Sequence, residues 1–229
     1  MEREIRLENV VVVCNIHVLF NPNRGEIKLG QVRHLLEKAH SLSIEWEGAP
    51  IILAGDFNSV PQSPLYQFLK NGMLDLRNCN RRSISGQAEG SVKVQETVHR
   101  GQIYSDSFLI PQTHRITEET YIFQWTLEEL IKATAVPNES LMRHSLNLRS
   151  AYPSIQGSEE TRGTSNEPII TTYHRNFMGT VDYIWYTNGL SAVRVLEVLP
   201  ISILQRTHGL PSKKWGSDHM TIACEFAFI

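Results

Sequence analysis

The sequence has no closely spaced cysteine pair, no long apolar run and no excess of either charge. Its three cysteines, Cys14, Cys79 and Cys224, stand far apart with no CxxC among them. That argues against zinc and against a disulfide framework, and favours reduced thiols in an intracellular protein. The longest apolar run near the start, Val10 to Cys14, is broken by Asn15 and falls far short of the ~20 residues a bilayer span requires. We therefore read no secretory or membrane segment. Lysine and arginine number 22 against 24 acidic residues, a formal charge of -2, so no basic field announces a nucleic-acid binder. A metal centre can attract phosphates without one, so charge alone does not decide the partner. Internal repeats and low-complexity tracts are also missing.

What is present is 229 residues, 41% of them hydrophobic, enough for a sizeable core in one or at most two domains. Asn9 to Val18 is dense in β-branched residues and reads as a buried strand ending near His17. Asn21-Pro22-Asn23-Arg24-Gly25 is turn chemistry. Beyond it, Ile27, Val32, Leu35, Leu36, Ala39 and Leu42 are spaced as the inner stripe of a helix over Glu26 to Leu42. Pro50 to Ala54 is a second short buried strand, closing on Gly55-Asp56-Phe57-Asn58. Ser63 as N-cap, Pro64 at the first helical position and Gly72 as stop mark a second helix. From about 77 to 176 the pattern weakens into polar sequence, read as a long insertion. Within it, Thr126 caps an expected helix over Leu127 to Ala135, Ser158 to Asn166 is the best candidate for a mobile loop, and Trp125, Tyr152 and Phe177 suit a small core. Strand-like sequence returns at Gly179 to Tyr186, Val193 to Leu199 and Met220 to Ile229. Strands alternating with amphipathic helices on either side of a polar middle imply one layered α/β domain over 1–229.

Polar residues at the ends of apolar strands matter because that is where rigid backbone meets an open cleft. His17 ends the first strand, Asp56 and Asn58 follow the second, Asp182 interrupts a run of Val, Tyr, Ile and Trp, and Ser217-Asp218-His219 precedes the last. Each has a plainer reading. His17 alone is more often a hydrogen-bonded structural residue, Asp56 and Asn58 are good turn formers, and Ser217 to His219 could be a turn leading into a strand. Asp182 is harder to dismiss, since a carboxylate among apolar neighbours must find a partner or lose its charge.

Taken in order, Gly55-Asp-Phe-Asn58, Gly179-Thr-Val-Asp-Tyr-Ile184 and Ser217-Asp-His219 resemble the endonuclease/exonuclease/phosphatase superfamily. Asn15-Ile-His17, Asn21-Pro22, Lys28-Leu-Gly-Gln31 and Leu210-Pro-Ser-Lys-Lys-Trp-Gly-Ser-Asp-His219 are similar to its carbon catabolite repressor type deadenylases and their Angel and nocturnin relatives, especially plant homologues. The resemblance runs from about Val10 to the C-terminus and implies two mixed sheets packed face to face, with helices outside. It also implies a magnesium- or manganese-dependent attack of water on a phosphodiester, with removal of adenylates from messenger RNA 3′ ends as the typical reaction. In that pattern Asp56 positions the water, Asn58 is a neutral ligand, protonated His219 stabilises transition-state charge, Asp182 orients His219, Asp218 faces the metal, and His17 contacts the phosphate. The cation would lie near Asp56, Asn58, Asp218 and His219. Substrate contacts are expected at Asn21 and at Lys213, Lys214 and Trp215, a pair of cations beside a stacking ring; a solvated loop with a tucked tryptophan is an equally good reading of the last three.

The sequence departs from the family at its start. Members begin with an Asn-bearing strand and a later Leu-Gln-Glu element whose Glu is the principal magnesium ligand, and nothing before Val10 matches either. The expectation is a chain truncated at its N-terminal side and of marginal stability, with apolar faces uncovered near Val11, Val13 and Ile52. An inactive truncated form is therefore the alternative to a deadenylase, and an Angel-type phosphatase of terminal or cyclic RNA phosphates is another. RNA, in particular poly(A) 3′ ends, is the expected partner, with no membrane and no leucine-rich docking region. The expected location is cytoplasm or nucleus, and organelle targeting of a longer form stays open.

Overall fold

Valine's branched Cβ favours extended backbone, and the four valines Val10 to Val13 lead into β1 (Val12–His17). The chain continues through α1 (Gly25–Glu45), β2 (Ile51–Asp56), α2 (Pro64–Asn71), β3 (Met73–Asp75), α3 (Leu127–Thr134), β4 (Leu141–Arg143) and β5 (Arg149–Ser150). β6 (Thr172–His174), β7 (Phe177–Gly179), β8 (Asp182–Tyr186), β9 (Leu190–Val195), the one-turn helix α4 (Ile201–Leu204) and β10 (Cys224–Phe228) follow. These come from a computed structural model that describes residues 9–87, 125–174, 177–207 and 209–229. Residues 88–124 of the expected insertion lie outside the described residues.

Four strands form one sheet in the order β1-β2-β8-β5. β1 and β2 are parallel and need a crossover, which α1 supplies; β8 runs antiparallel to β2. On one face of this sheet, Leu29, Val32 and Leu36 of α1 meet Leu53, Phe57, Leu65, Phe68, Tyr183 and Trp185 in the principal core. Deletion of one such buried side chain typically costs about 2–5 kcal/mol. α3 lies along α1 so closely that a Cβ at Gly30 would meet the Lys132 carbonyl oxygen. On the other face, Ile184, Tyr186 and Leu190 pack with Ala192, Val195, Cys224 and Phe226 of the β9-β10 ribbon. The architecture is mixed α/β.

The helix punctuation holds in detail. Ser63 accepts the Tyr66 amide and Gly72 closes α2 in the left-handed region at φ 73°; Thr126 and Glu129 form a reciprocal capping box on α3. Other expectations shift. Leu42 of the expected α1 stripe is exposed at 41%, while Leu29 and the charged Lys28 are fully buried. The expected buried first strand lies at the sheet edge, with Val13 66% exposed; Val11 and Ile52 are partly covered by the second core cluster. Trp125 does not build a separate small core but joins the principal one, donating its indole N–H to Cys79 O at 2.8 Å. Tyr152 belongs to the second cluster. Ser158 to Asn166 is pinned: Arg162, 6% exposed, donates to Glu197 at 2.5 Å and to the Tyr152 and Asn166 carbonyls. The last two strands are found at Leu190–Val195 and Cys224–Phe228, displaced from the expected ranges because residue type marks extended backbone better than its ends.

Candidate active site

The site is a consequence of strand register. Parallel pairing sets His17 opposite Asp56, and antiparallel pairing sets Asp56 opposite Asp182. Three side chains far apart in sequence thus form one row across the ends of three neighbouring strands. Two carboxylates directly opposite one another repel, which needs compensation. Part of it comes from the chain segment just before β10, where an isolated bridge pairs Thr172 with His219, and the Met220 amide donates to Thr171 O at 2.7 Å. His219 Nδ1 then lies 2.9 and 3.1 Å from the Asp182 carboxylate oxygens, with Nε2 3.9 Å from Asp56. An ionised carboxylate only accepts, so Nδ1 carries the proton. His17 Nε2 approaches Asp56 from the other side at 3.5 Å.

Burial, and then the charge of Asp182, push the Asp56 carboxyl above its ordinary value. The hydrogen bond to Asp182 holds the His219 imidazole above its own, although partial burial opposes it. The protonated imidazole is therefore favoured in this setting.

Asn58 sits immediately beside the row in a left-handed conformation at φ 45°. Its backbone amide donates to Asp56 Oδ1 at 2.7 Å, and its side-chain amide nitrogen donates to Val18 O at 2.7 Å and Asp56 Oδ2 at 3.2 Å. Only Oδ1 is left for a ligand. Asp218 is different. Its side chain is exposed, while its carbonyl accepts from Thr172 Oγ1 at 2.9 Å and the Tyr173 amide at 3.2 Å. Asn21 accepts the Asn23 amide in an Asx turn on the β1-α1 loop. Lys213 and Lys214 are exposed, and Trp215 packs partly against Ile170, Leu204 and Leu210 with the Lys214 ammonium 4.6 Å over its ring.

Asp56, Asp182 and His219 offer donor atoms within 4.8 Å of one another. Two carboxylates in a part-buried site are hard oxygen donors of the kind Mg²⁺ and Mn²⁺ take, and a divalent cation would relieve their mutual repulsion. The donor set fits such a cation through Asp56 and Asp182, while His219, raised and hydrogen-bonded, fits better as a cationic neighbour than as a ligand.

Two contributors carry no chemical label in the sequence. Thr171, fully buried, accepts the Val181 and Asp182 amides at 3.0 and 3.2 Å and so fixes the start of β8. Lys28, also fully buried, donates to Leu19 O, Phe20 O and Asn58 O. Burial pushes the Lys28 ammonium down to about 8, and the Asp56 charge pulls it back up. The signs the sequence gives of it are a lysine on the stripe of Val32, Leu36 and Ala39 and its place in the Lys28-Leu-Gly-Gln31 stretch of the family resemblance.

A mixed α/β fold that lines up two acids and two histidines at one sheet rim offers a candidate site for a divalent cation. Residues 8–219 match the pattern of the Endonuclease/Exonuclease/phosphatase family, and the chain belongs to that family. Within it, the chain is 48% identical over 219 residues to carbon catabolite repressor protein 4 homolog 5 of Arabidopsis thaliana, covering 96% of this chain and 46% of that protein. It is 44% identical to homolog 3 from the same plant, over 95% of this chain and 46% of that one. Among solved structures, ANGEL2, described as a 2′,3′-cyclic phosphatase and bound to adenosine-2′,3′-vanadate, superposes with a TM-score of 0.66 at 31% identity, covering 94% of this chain and 56% of that one. The chain spans about half the length of the curated relatives it matches.

Proposed function

We propose that this chain carries the catalytic rim of a divalent-cation-dependent phosphodiesterase that shortens RNA from its 3′ end, with adenylate tails as the substrate. The observation that carries this reading is the row His17, Asp56, Asp182 completed by His219. Asp56 sits between a histidine on each side, where it can hold a water and take its proton as that water attacks phosphorus. His219, charged and oriented by Asp182, faces the negative charge that builds on the phosphoryl oxygens and the leaving oxygen. His17, three-quarters exposed at its side chain, is free to contact the phosphate. Asp56 and Asp182 would hold such a cation, which would supply Lewis-acid polarisation of a phosphate oxygen. Lys213, Lys214 and Trp215 would take the RNA backbone and one base. Among the described residues no helix is long and apolar enough to cross a membrane.

The experiment is hydrolysis of an oligoadenylate RNA with Mg²⁺ or Mn²⁺, beside an Asp56→Ala control and an EDTA control. Stepwise shortening by the wild type only, abolished by chelation, supports the reading. Turnover equal to that of Asp56→Ala means an inactive form. A second reading has its own support in the superposition on a protein described as a 2′,3′-cyclic phosphatase: an RNA ending in a 2′,3′-cyclic phosphate, opened while the adenylate tail is left intact, would favour it.

A further inference from the structure

The β1-α1 and β2-α2 loops bring different halves of the proposed machinery. The first follows His17 and carries Asn21; the second follows Asp56, the last residue of β2, and carries Asn58. Direct backbone links between them are few: the Val18 amide donates to Asp56 O at 2.8 Å, and the Asn58 side chain returns a bond to Val18 O. Beneath both lies the ammonium of Lys28, with the whole residue at 0% exposure. Its three donors meet three carbonyl oxygens, Leu19 at 2.6 Å and Phe20 at 3.4 Å on one loop and Asn58 at 2.9 Å on the other.

A buried ammonium is costly, and it persists here because each proton finds an acceptor. The arrangement is specific to its place. A neutral side chain of the same length would fill the same volume at less desolvation cost, yet could not draw three carbonyl dipoles from two loops toward one point. Asn58 itself lies in the left-handed region at φ 45°, which asparagine tolerates, and the Lys28 bond to its carbonyl fixes the direction in which that turn presents it.

We propose that Lys28 is a positioning residue for phosphodiester cleavage, its ammonium tying the loop after β1 to the loop after β2 and so setting the spacing of His17 and Asn21 against Asp56 and Asn58. The catalytic part of this inference rests on the phosphodiesterase reading above, whereas the geometric part does not. Lys28 touches neither substrate nor cation, because it has no exposed surface. It acts through the two loops it joins.

The test compares Lys28→Met, which keeps the apolar stem and removes the ammonium, and Lys28→Gln, which keeps a shorter polar group, with Gln31→Ala as reference. Among the described residues Gln31 Oε1 accepts only the Leu19 amide, at 2.9 Å, so its loss loosens one loop without uncoupling the two. Amide hydrogen exchange, read residue by residue, should speed by about tenfold or more at Val18 and Asn58 in both Lys28 variants, with β9 and β10 unchanged. Gln31→Ala should affect Leu19 alone. Where the wild type hydrolyses RNA, kcat should fall by about a hundredfold with KM held within about threefold, as expected when reacting groups are displaced by about an ångström. Unchanged exchange at Val18 and Asn58 in the two Lys28 variants would overturn the proposal whatever the activity. Altered exchange with an unaltered kcat would overturn its catalytic part. A wild type inert on every RNA substrate refutes the phosphodiesterase reading, and with it the catalytic role of Lys28, while the exchange data still decide the coupling.

Discussion

At the scale of single residues, Asp182 and Glu167 show two uses of a carboxylate withdrawn from water, the first part-buried and the second fully buried. Asp182 has a partner, the His219 ring at 2.9 Å, and its value lies in holding that ring. Asp182→Asn keeps the shape and removes the acceptor-only character, so the imidazole loses both its proton preference and its fixed tautomer. RNA hydrolysis by the wild type should exceed that of the variant by about 10²–10⁴, with circular dichroism unchanged; equal rates would remove Asp182 from the machinery. Glu167 has less support. It is 1% exposed, Oε1 accepts the Tyr66 hydroxyl at 2.9 Å, and among the described residues Oε2 has no partner at hydrogen-bond geometry, although Ser150 lies near. Burial pushes this carboxyl up to about 7, against the pull of Ser150, Tyr66 and Arg162. A carboxyl raised in the folded state binds its proton more tightly there than in the unfolded chain. Its stabilising contribution is complete below the ordinary carboxylate range and is lost as pH rises through about 7. The loss is of order 3 kcal/mol at about 1.4 kcal/mol per unit. Urea unfolding at pH 5 and pH 8 should show this fall in the wild type and a flatter profile in Glu167→Gln. The same slope in both proteins would mean that Glu167 is not the titrating group.

At the scale of elements, punctuation was more legible than depth. Ser63, Pro64 and Gly72 bounded α2, and Thr126 marked α3, because caps are local chemistry that a sequence states outright. Thr126→Ala should cost about 1 kcal/mol through loss of the capping box, read as a lower midpoint in thermal unfolding; no change would mean that packing against α1 alone sustains α3. The exposed Leu42, the buried Lys28 and the edge position of β1 were not legible, since each depends on which neighbours the chain brings from far away. The candidate site was legible in part: His17, Asp56, Asp182 and His219 stood out at or beside strand ends and lie together in the fold. Register, which turns His17, Asp56 and Asp182 into a row, is visible only when the strands are paired. Gly55 shows how tightly that row is built. It sits at φ 141°, and a Cβ there would run into the Ile16 carbonyl oxygen of the neighbouring strand. Gly55→Ala therefore combines backbone strain with a clash at the point where β1 meets β2, and should destabilise by about 3 kcal/mol or more. A soluble Gly55→Ala protein with wild-type stability in urea would contradict the register.

At the scale of the whole molecule, the sheet's two rims are unlike. At one end of the strand order, β5 is a two-residue strand flanked by a pinned loop, a short edge of the kind that discourages further pairing. At the other, β1 is six residues long and, among the described residues, has no partner on its outer side. Val13 is 66% exposed there and Phe20 just beyond it 62%, so apolar surface and unpaired backbone groups coincide. That combination templates pairing with another chain, and a charged side chain on the strand is the usual protection against it. The wild type should therefore self-associate as concentration rises, and Val13→Lys should suppress this while altering folding stability by no more than about 0.5 kcal/mol, because an exposed position contributes little to the core. Sedimentation velocity over a concentration series measures the first effect and urea unfolding the second. The variant leaves His17 and its pairing with Asp56 in place, so any RNA hydrolysis should survive the substitution and rise per milligram if association hides the rim. A wild type that stays monomeric throughout the series would show that β1 is protected in solution by something other than its own side chains, and the exposed edge would then lose its place in any account of this chain's stability.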